Sequence, residues 1–355
     1  MLAPRCGRTE GPVSSLTIRE GERGRTLGVV DDQARGRVTP GCYGRRMRKG
    51  VRAESVRASG GRSPIGACLA AYRFGVDDPT TRLAPGEFWR ASYTPSGPAT
   101  IRIAWDVFSR DSDVVDAEAW GAGREWMLEH AEAMTGALDP GFRFADAHPA
   151  VLRAQRNHPI VRFGASHMLF HELVPTIIAQ RITGGEAIRQ WHRLCRRLGE
   201  PAPGPAAGLL LPPSPIMLAG RPAWWYHPLG IEAKRAEALR TVGKHADKLW
   251  GWAQLSPCQL ATKLARLRGI GPWTIGSVMA SAIGDANAVA VGDFHLKNLV
   301  SYALDGRPRG SDERMLELLA PYEGQRGRVV RLLQLDGHRP PAFGPRQRVL
   351  PMARW

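Results

Sequence analysis

Cysteine is scarce and scattered. The chain has five in 355 residues, Cys6, Cys42, Cys68, Cys195 and Cys258, and the two nearest are 26 positions apart. An odd number at such spacing excludes a disulfide scaffold and a zinc knuckle. Long apolar runs are missing too. No stretch approaches the roughly eighteen apolar residues of a membrane span, and the N-terminus lacks the apolar core and cleavage pattern of a signal peptide. A soluble, cytoplasmic protein with no membrane partner is therefore expected. Acidic residues are the third shortage: 33 Asp+Glu face 49 Lys+Arg, a net charge of +16. That balance favours polyanionic partners.

The positive charge is unevenly spread. Residues 1–65 hold fourteen Lys/Arg and six acids, half of the net total. This Arg/Gly/Ser-rich stretch, drawn to residue 75, has little apolar periodicity and reads as a disordered basic arm, either a nonspecific polyanion-binding tail or a segment of little function. A small α/β domain is expected at 85–150. There, Tyr93, Ile101, Ile103 and Trp105 alternate around a Pro-Ser-Gly-Pro turn as in a strand hairpin, and Ala117 to Leu138 reads as a helix. Residues 151–340 read as mainly helical, broken by a Pro/Gly/Ala-rich connection at Gly199–Pro215, with a last helix from Gly327 to Leu335 and a loose tail at 341–355.

Within the helical part, 256–284 reads as a helical hairpin. Ser256-Pro257 offers an N-cap followed by proline at the first helical position. Leu260, Leu264 and Leu267 recur at helical spacing, and Gly269 supplies a stop. A second helix restarts at Pro272, with Ile275, Val278, Met279 and Ile283 as its apolar face. The linking glycines, Gly269 and Gly271, are free to take positive φ and carry no Cβ. Backbone N–H groups of the turn and of the second helix can therefore approach a phosphate, which the helix dipole also favours. Gly269, Ile270, Gly271 and Thr274 are the candidate phosphate-binding residues. The dinucleotide spacing G-x-G-x-x-G is not met, and a helix rather than a strand precedes the glycines.

Ala288 to Val291 is an extended apolar connector, and Phe294 to Leu304 reads as another helix with Asp293 at its N-cap. Backbone N–H groups and the dipole favour the charged form of a carboxylate placed there. Such a group can stabilise a cationic transition state of the oxocarbenium kind, or it can be an ordinary cap.

Leu267-Arg-Gly-Ile-Gly-Pro-Trp-Thr274 together with Val291-Gly-Asp-Phe-His-Leu-Lys297 resembles the helix-hairpin-helix DNA glycosylase superfamily. Phe170 to Thr183 and Leu229 to Leu239 are similar to successive helices of its alkylpurine (3-methyladenine type II) branch. The resemblance runs from about residue 85 to about residue 345. It implies two helical domains behind a small N-terminal α/β domain, and a monomer acting on double-stranded damaged DNA, at the nucleoid if the source is bacterial. Strand-nicking relatives carry a lysine where this chain has Trp273, so a monofunctional glycosylase is implied. Asp293 would be catalytic, assisting departure of a flipped 3-methyladenine- or 7-methylguanine-type base before water completes hydrolysis. Trp273 would either stack on that base in the pocket or pack between helices. Trp224, Trp225, Tyr226, Trp250 and Trp252 are further aromatics, most for helix packing and one or two for the pocket. The segment Gln180-Arg181-Ile182 would supply the DNA wedge, with Arg181 at the wedge position intercalating, binding phosphate or leaving the role to Ile182; Lys297 is a further DNA contact. No cysteine follows Cys258, which excludes the iron–sulfur cluster of some relatives, and no cofactor is expected. His167 and His171 have helical i, i+4 spacing but no third partner, so no metal is expected. The other readings are a glycosylase for an oxidised or deaminated base and a non-catalytic DNA-binding module.

Overall fold

The computed structural model describes residues 45–50, 64–107 and 114–341. Most of the expected basic arm, and the tail beyond residue 341, lie outside the described residues.

Five antiparallel strands form one sheet in the order β1-β5-β4-β3-β2: β1 Arg45–Gly50, β2 Thr81–Ala84, β3 Glu87–Thr94, β4 Gly97–Trp105 and β5 Val114–Gly121. The β3–β4 hairpin closes at Pro95-Ser96. There the Thr94 hydroxyl donates to the Gly97 carbonyl (2.8 Å), and Gly97 takes φ +111°. Phe88, Ile101, Ile103, Ala117 and Ala119 share one buried face with Met127, Leu128 and Met134 of the following helical turns. Tyr93 points the other way, joining Trp89 against Leu209 and Leu211 in the Gly199–Pro215 connection.

The helix expected over 117–138 is corrected. Val114–Gly121 is a strand, and helix appears only at Arg124–Glu129 and Ala131–Met134. Val115, Ala117 and Ala119 are buried while Asp116 and Glu118 lie between them. A period of two on a β-branched start overrides the helix propensity of the alanines. The expected disordered arm is corrected too: Arg45–Gly50 is a strand paired antiparallel with β5, and the arm ends before residue 75. Pro64–Leu69 and Ala70–Tyr72 are helical, and Ile65, Leu69 and Tyr72, at spacings of three and four, are buried in the core of the sheet domain.

The helices bury two cores. One gathers the helices Leu169–Ile178, Gly184–Leu198, Ala233–Lys244, Pro257–Leu264 and Pro272–Ala282 around Phe170, Trp191, Tyr226, Leu239 and Val278. The other is discontinuous in sequence, with Pro149–Asn157 packing against Leu296–Asp305, Asp312–Leu319 and Arg326–Leu335. A buried ion pair ties the C-terminal helix to the sheet side: Arg328 Nη2 reaches both Asp139 oxygens at 2.8 Å, and Asp139 also accepts from Phe163 N. The chain is mainly α, as expected.

Candidate nucleic-acid interface and active site

The hairpin forms where Ser256, Gly269 and Pro272 predict it, with tighter geometry. Ser256 and Gln259 make a reciprocal capping box ahead of Pro257–Leu264. The first helix stops at Leu264 rather than Gly269; Arg266, Leu267 and Ile270 then donate to carbonyls three residues back, in tight turns. Seven residues, 265–271, therefore link the helices rather than three.

The two glycines differ. Gly269 has φ +87°, and a Cβ there would lie 2.7 Å from Ala238 Cβ, so both backbone and packing demand glycine. Gly271 is extended (φ −107°, ψ −179°), with open space where a Cβ would go, and serves as N-cap of the second helix. Positive φ is thus needed only at Gly269. No side chain caps Pro272–Ala282, leaving its first-turn N–H groups without an intrahelical or side-chain acceptor. Lys263, Arg266 and Arg268, on the first helix and the linking turns, are exposed. An uncapped helix N-terminus with exposed cations on the preceding segment suits a phosphate.

The side chains of Ile270 and Thr274 do not face a phosphate: they are 5% and 2% exposed. Ile270 belongs to the helical core. Thr274 Oγ1 accepts from Gln180 Nε2 (2.9 Å), which also donates to the Gly269 carbonyl (2.9 Å). Gln180 therefore bridges its turn to the hairpin, and Ile182 packs on the helical core. Arg181 between them is exposed with φ +59°, a conformation that costs a non-glycine residue about 1–3 kcal/mol and collects at functional sites. Of the three wedge candidates, only Arg181 projects outward.

Gly276 brings the rest together. A Cβ there would sit 2.1 Å from Val289 O, so its absence lets the connector lie directly on the second helix. That approach sets Asp293 beside Trp273. Asp293 Oδ1 accepts from the backbone N–H of His295 (2.8 Å) and Leu296 (2.9 Å), and Oδ2 accepts from Trp273 Nε1 (3.1 Å). The helix itself begins at Leu296, slightly later than expected, with Asp293 bonded to the N–H groups just before and at its start. The half-buried indole of Trp273 holds the carboxylate. Lys297, one turn on, lies 3.6 Å from Asp312 Oδ2, so its charge is partly matched within the protein.

Behind this pair, a small pocket of about 110 Å³ opens between Leu169–Ile178 and Pro272–Ala282, walled on the sheet side by Tyr72 and Arg90. Its buried floor is an ion pair, Arg90 Nη2 to Glu172 Oε1 at 2.6 Å, with Ser166 Oγ donating to the same oxygen. Burial pushes Glu172 above the ordinary carboxylate range, opposed by Arg90 and by hydrogen bonds from Ser166 and Ser281. The neighbouring His171 is held well below the usual histidine value by burial and by the Arg90 charge. Its ring nitrogens meet Ser92 Oγ (3.0 Å) and Thr80 Oγ1 (3.1 Å). His171 thus faces the sheet, and His167 precedes the helix with φ +54°, so the two do not share a helical face. Among the described residues no group of three or more metal-ligating side chains occurs.

The tryptophan-rich segment stays away from this pocket. Trp224 is 74% exposed, Tyr226 is buried and donates to Leu218 O, and Trp250 meets Trp126 edge-on at 5.9 Å. Trp225 and Trp252 pack at the edge of the helical core. None of these five aromatics lines the small pocket between Leu169–Ile178 and Pro272–Ala282.

No family model and no curated protein sequence matches this chain. Its backbone, however, overlays on solved structures. The 3-methyladenine DNA glycosylase of Archaeoglobus fulgidus matches with TM-score 0.63 and 18% identity, over 77% of this chain and 95% of that one. The chain has the helix-hairpin-helix DNA glycosylase fold. The 8-oxoguanine glycosylase/lyase of Clostridium acetobutylicum, solved with double-stranded DNA containing cytosine opposite 8-oxoguanine, matches with TM-score 0.52 and 12% identity, over 77% of this chain and 90% of that one. In this fold the hairpin, the Trp273–Asp293 pair and the Gln180-Arg181 turn lie together, with the polar pocket behind them.

Proposed function

We propose that the protein is a monofunctional DNA glycosylase that removes alkylated purines from double-stranded DNA. The observation that carries this reading is the carboxylate of Asp293, held by two backbone N–H groups and the Trp273 indole beside an uncapped helix terminus. The helix terminus and its cations hold the DNA backbone, and Arg181 fills the space left when a nucleotide turns out of the duplex. As the bond between C1′ and the base nitrogen breaks, its electron pair leaves with the base. Positive charge grows on the sugar opposite the carboxylate, which stabilises it. Water then adds to C1′, and its proton is released.

Position 273, where strand-nicking relatives carry a lysine, holds an indole that cannot form a Schiff base. The backbone overlay on an enzyme described as a 3-methyladenine glycosylase supports alkylpurines as the first substrates to test. The decisive experiment measures free base released from methylated duplex DNA by the wild type and Asp293→Asn side by side. The variant should lose activity by roughly 10²–10³-fold while binding abasic-site duplex unchanged. Release by neither protein would overturn the alkylpurine reading and leave a glycosylase for another lesion or a DNA-binding module. A covalent adduct trapped by borohydride would overturn the monofunctional assignment.

A further inference from the structure

The pocket behind Trp273 differs from an aromatic cage in the chemistry of its lining. Glu172 and Thr176 come from one helix, Ser277 and Ser281 from the other, and each pair is one helical turn apart. The hydroxyl protons are already engaged. Thr176 donates to Glu172 O (2.8 Å) and Ser277 to Trp273 O (2.7 Å), while the Ser281 proton has Val278 O (3.3 Å) and the Glu172 carboxylate as takers. A hydroxyl whose proton points at the backbone offers only lone pairs elsewhere. The two helix walls are therefore rich in acceptors. The donors on the lining come from two arginines outside these helices, the buried Arg90, which pairs with Glu172, and the half-buried Arg73.

The pocket also has the right address. Ser277 is one turn along the helix from Trp273, a rise of about 5.4 Å, and bonds to its carbonyl. On the facing helix Thr176 is one turn before Gln180, which grips Thr274 and Gly269. A base turned out of the duplex, with its sugar at Asp293, would enter between these faces. An acceptor-rich wall selects a base whose edge presents donors. A guanine-derived base presents two side by side, the ring N1–H and the 2-amino group. An adenine-derived base presents its 6-amino group next to an unprotonated ring nitrogen. Resting on the glycosylase reading above, we propose that this pocket receives the flipped base and favours guanine-derived lesions, with Glu172 as the specificity-determining residue and Ser277 supporting it.

The test uses duplex DNA treated with a methylating agent, which carries 7-methylguanine and 3-methyladenine together. Release of each base is measured over its spontaneous loss. Wild type should favour the guanine-derived base, and Glu172→Gln should lower the ratio of the two about tenfold. A change in charge alone would weaken both methylated purines alike and leave the ratio in place. Binding to abasic-site duplex reports folding. Because Glu172 is buried against Arg90, Ser277→Ala serves as a second variant, expected to lower the ratio severalfold in the same direction. Release with an unchanged ratio in a folded variant overturns the pocket assignment and leaves the glycosylase standing. Release of neither base by the wild type removes the alkylpurine reading and this inference with it.

Discussion

The two ends of the helix Pro272–Ala282 are both polar, but they are built differently. At its N-terminus, Trp273 and Asp293 meet across 20 residues of sequence in a half-exposed setting, joined by short loops and glycines. Toward its C-terminus, Ser277 and Ser281 face Glu172, which is paired to Arg90 across 82 residues and is almost wholly buried. On the proposed function, the exposed end carries the groups that hold and act on DNA, and these contribute little to stability. At the buried end any group that selects a ligand also supports the fold, because an unpaired charge there is costly. On the proposed reading, chemistry and selection are thus divided between a cheap and an expensive environment on one helix.

The sharpest way to break this contrast is Arg90→Met. Removing the guanidinium leaves Glu172 buried without its counter-ion and deprives the Tyr72 carbonyl and Thr81 hydroxyl of a donor. A loss of about 3–5 kcal/mol of stability is expected, read as a lowered denaturant midpoint. A loss below about 1 kcal/mol, the range of surface pairs, would mean that this end is no more structural than the hairpin.

The same division explains what could be read from the sequence. Ser256-Pro257, Gly269, Pro272 and Asp293 act on their immediate neighbours, so capping and turn chemistry locate the hairpin and the acid without tertiary knowledge. The errors within this region are local too. The first helix tightens after Leu264, and Gly271 caps rather than turns. Glu172, Ser277 and Ser281 gave no such signal, because serines and an acid on helices usually face solvent. One clue was present: on β3, Phe88, Arg90 and Ser92 share the buried phase of the strand, and an arginine in that phase requires a carboxylate from elsewhere. Its partner depends on packing between the sheet and the helix Leu169–Ile178, which periodicity does not reveal. Residues 117–121 read as helix yet form strand for the converse reason, since alanines and tryptophan suit both periods.

At the exposed end the matching variant is Trp273→Phe. It keeps an aromatic ring and deletes the N–H that reaches Asp293 Oδ2. A hydrogen bond to a charged group contributes about 1.5–3 kcal/mol. If that energy goes into positioning the carboxylate, turnover falls by about tenfold or somewhat more, while KM and the melting temperature stay close to wild type. The opposite pattern, a lowered melting temperature with unchanged kcat, would show that the indole is packing and that the two ends do not differ as argued.

The smallest effect concerns pH and again separates the ends. His171 sits beside Arg90 and Glu172, between the hydroxyls of Ser92 and Thr80, and burial followed by the Arg90 charge depresses its protonation well below the ordinary 6.5. The unfolded chain therefore binds a proton that the folded chain refuses. The resulting stability is fully present above 6.5 and is lost as pH falls through that value toward the folded pKa. Glu172 works in the opposite sense: burial raises it, so its protonation favours the fold as pH falls. His167 and His192 are lowered by burial and add to the His171 trend. Comparing wild type with His171→Gln removes these shared terms. Between about pH 7.5 and about pH 5.5, the melting temperature of the wild type should fall more than that of the variant. Equal pH slopes for the two proteins would show that the buried end does not resist protonation, and would remove the electrostatic part of the contrast.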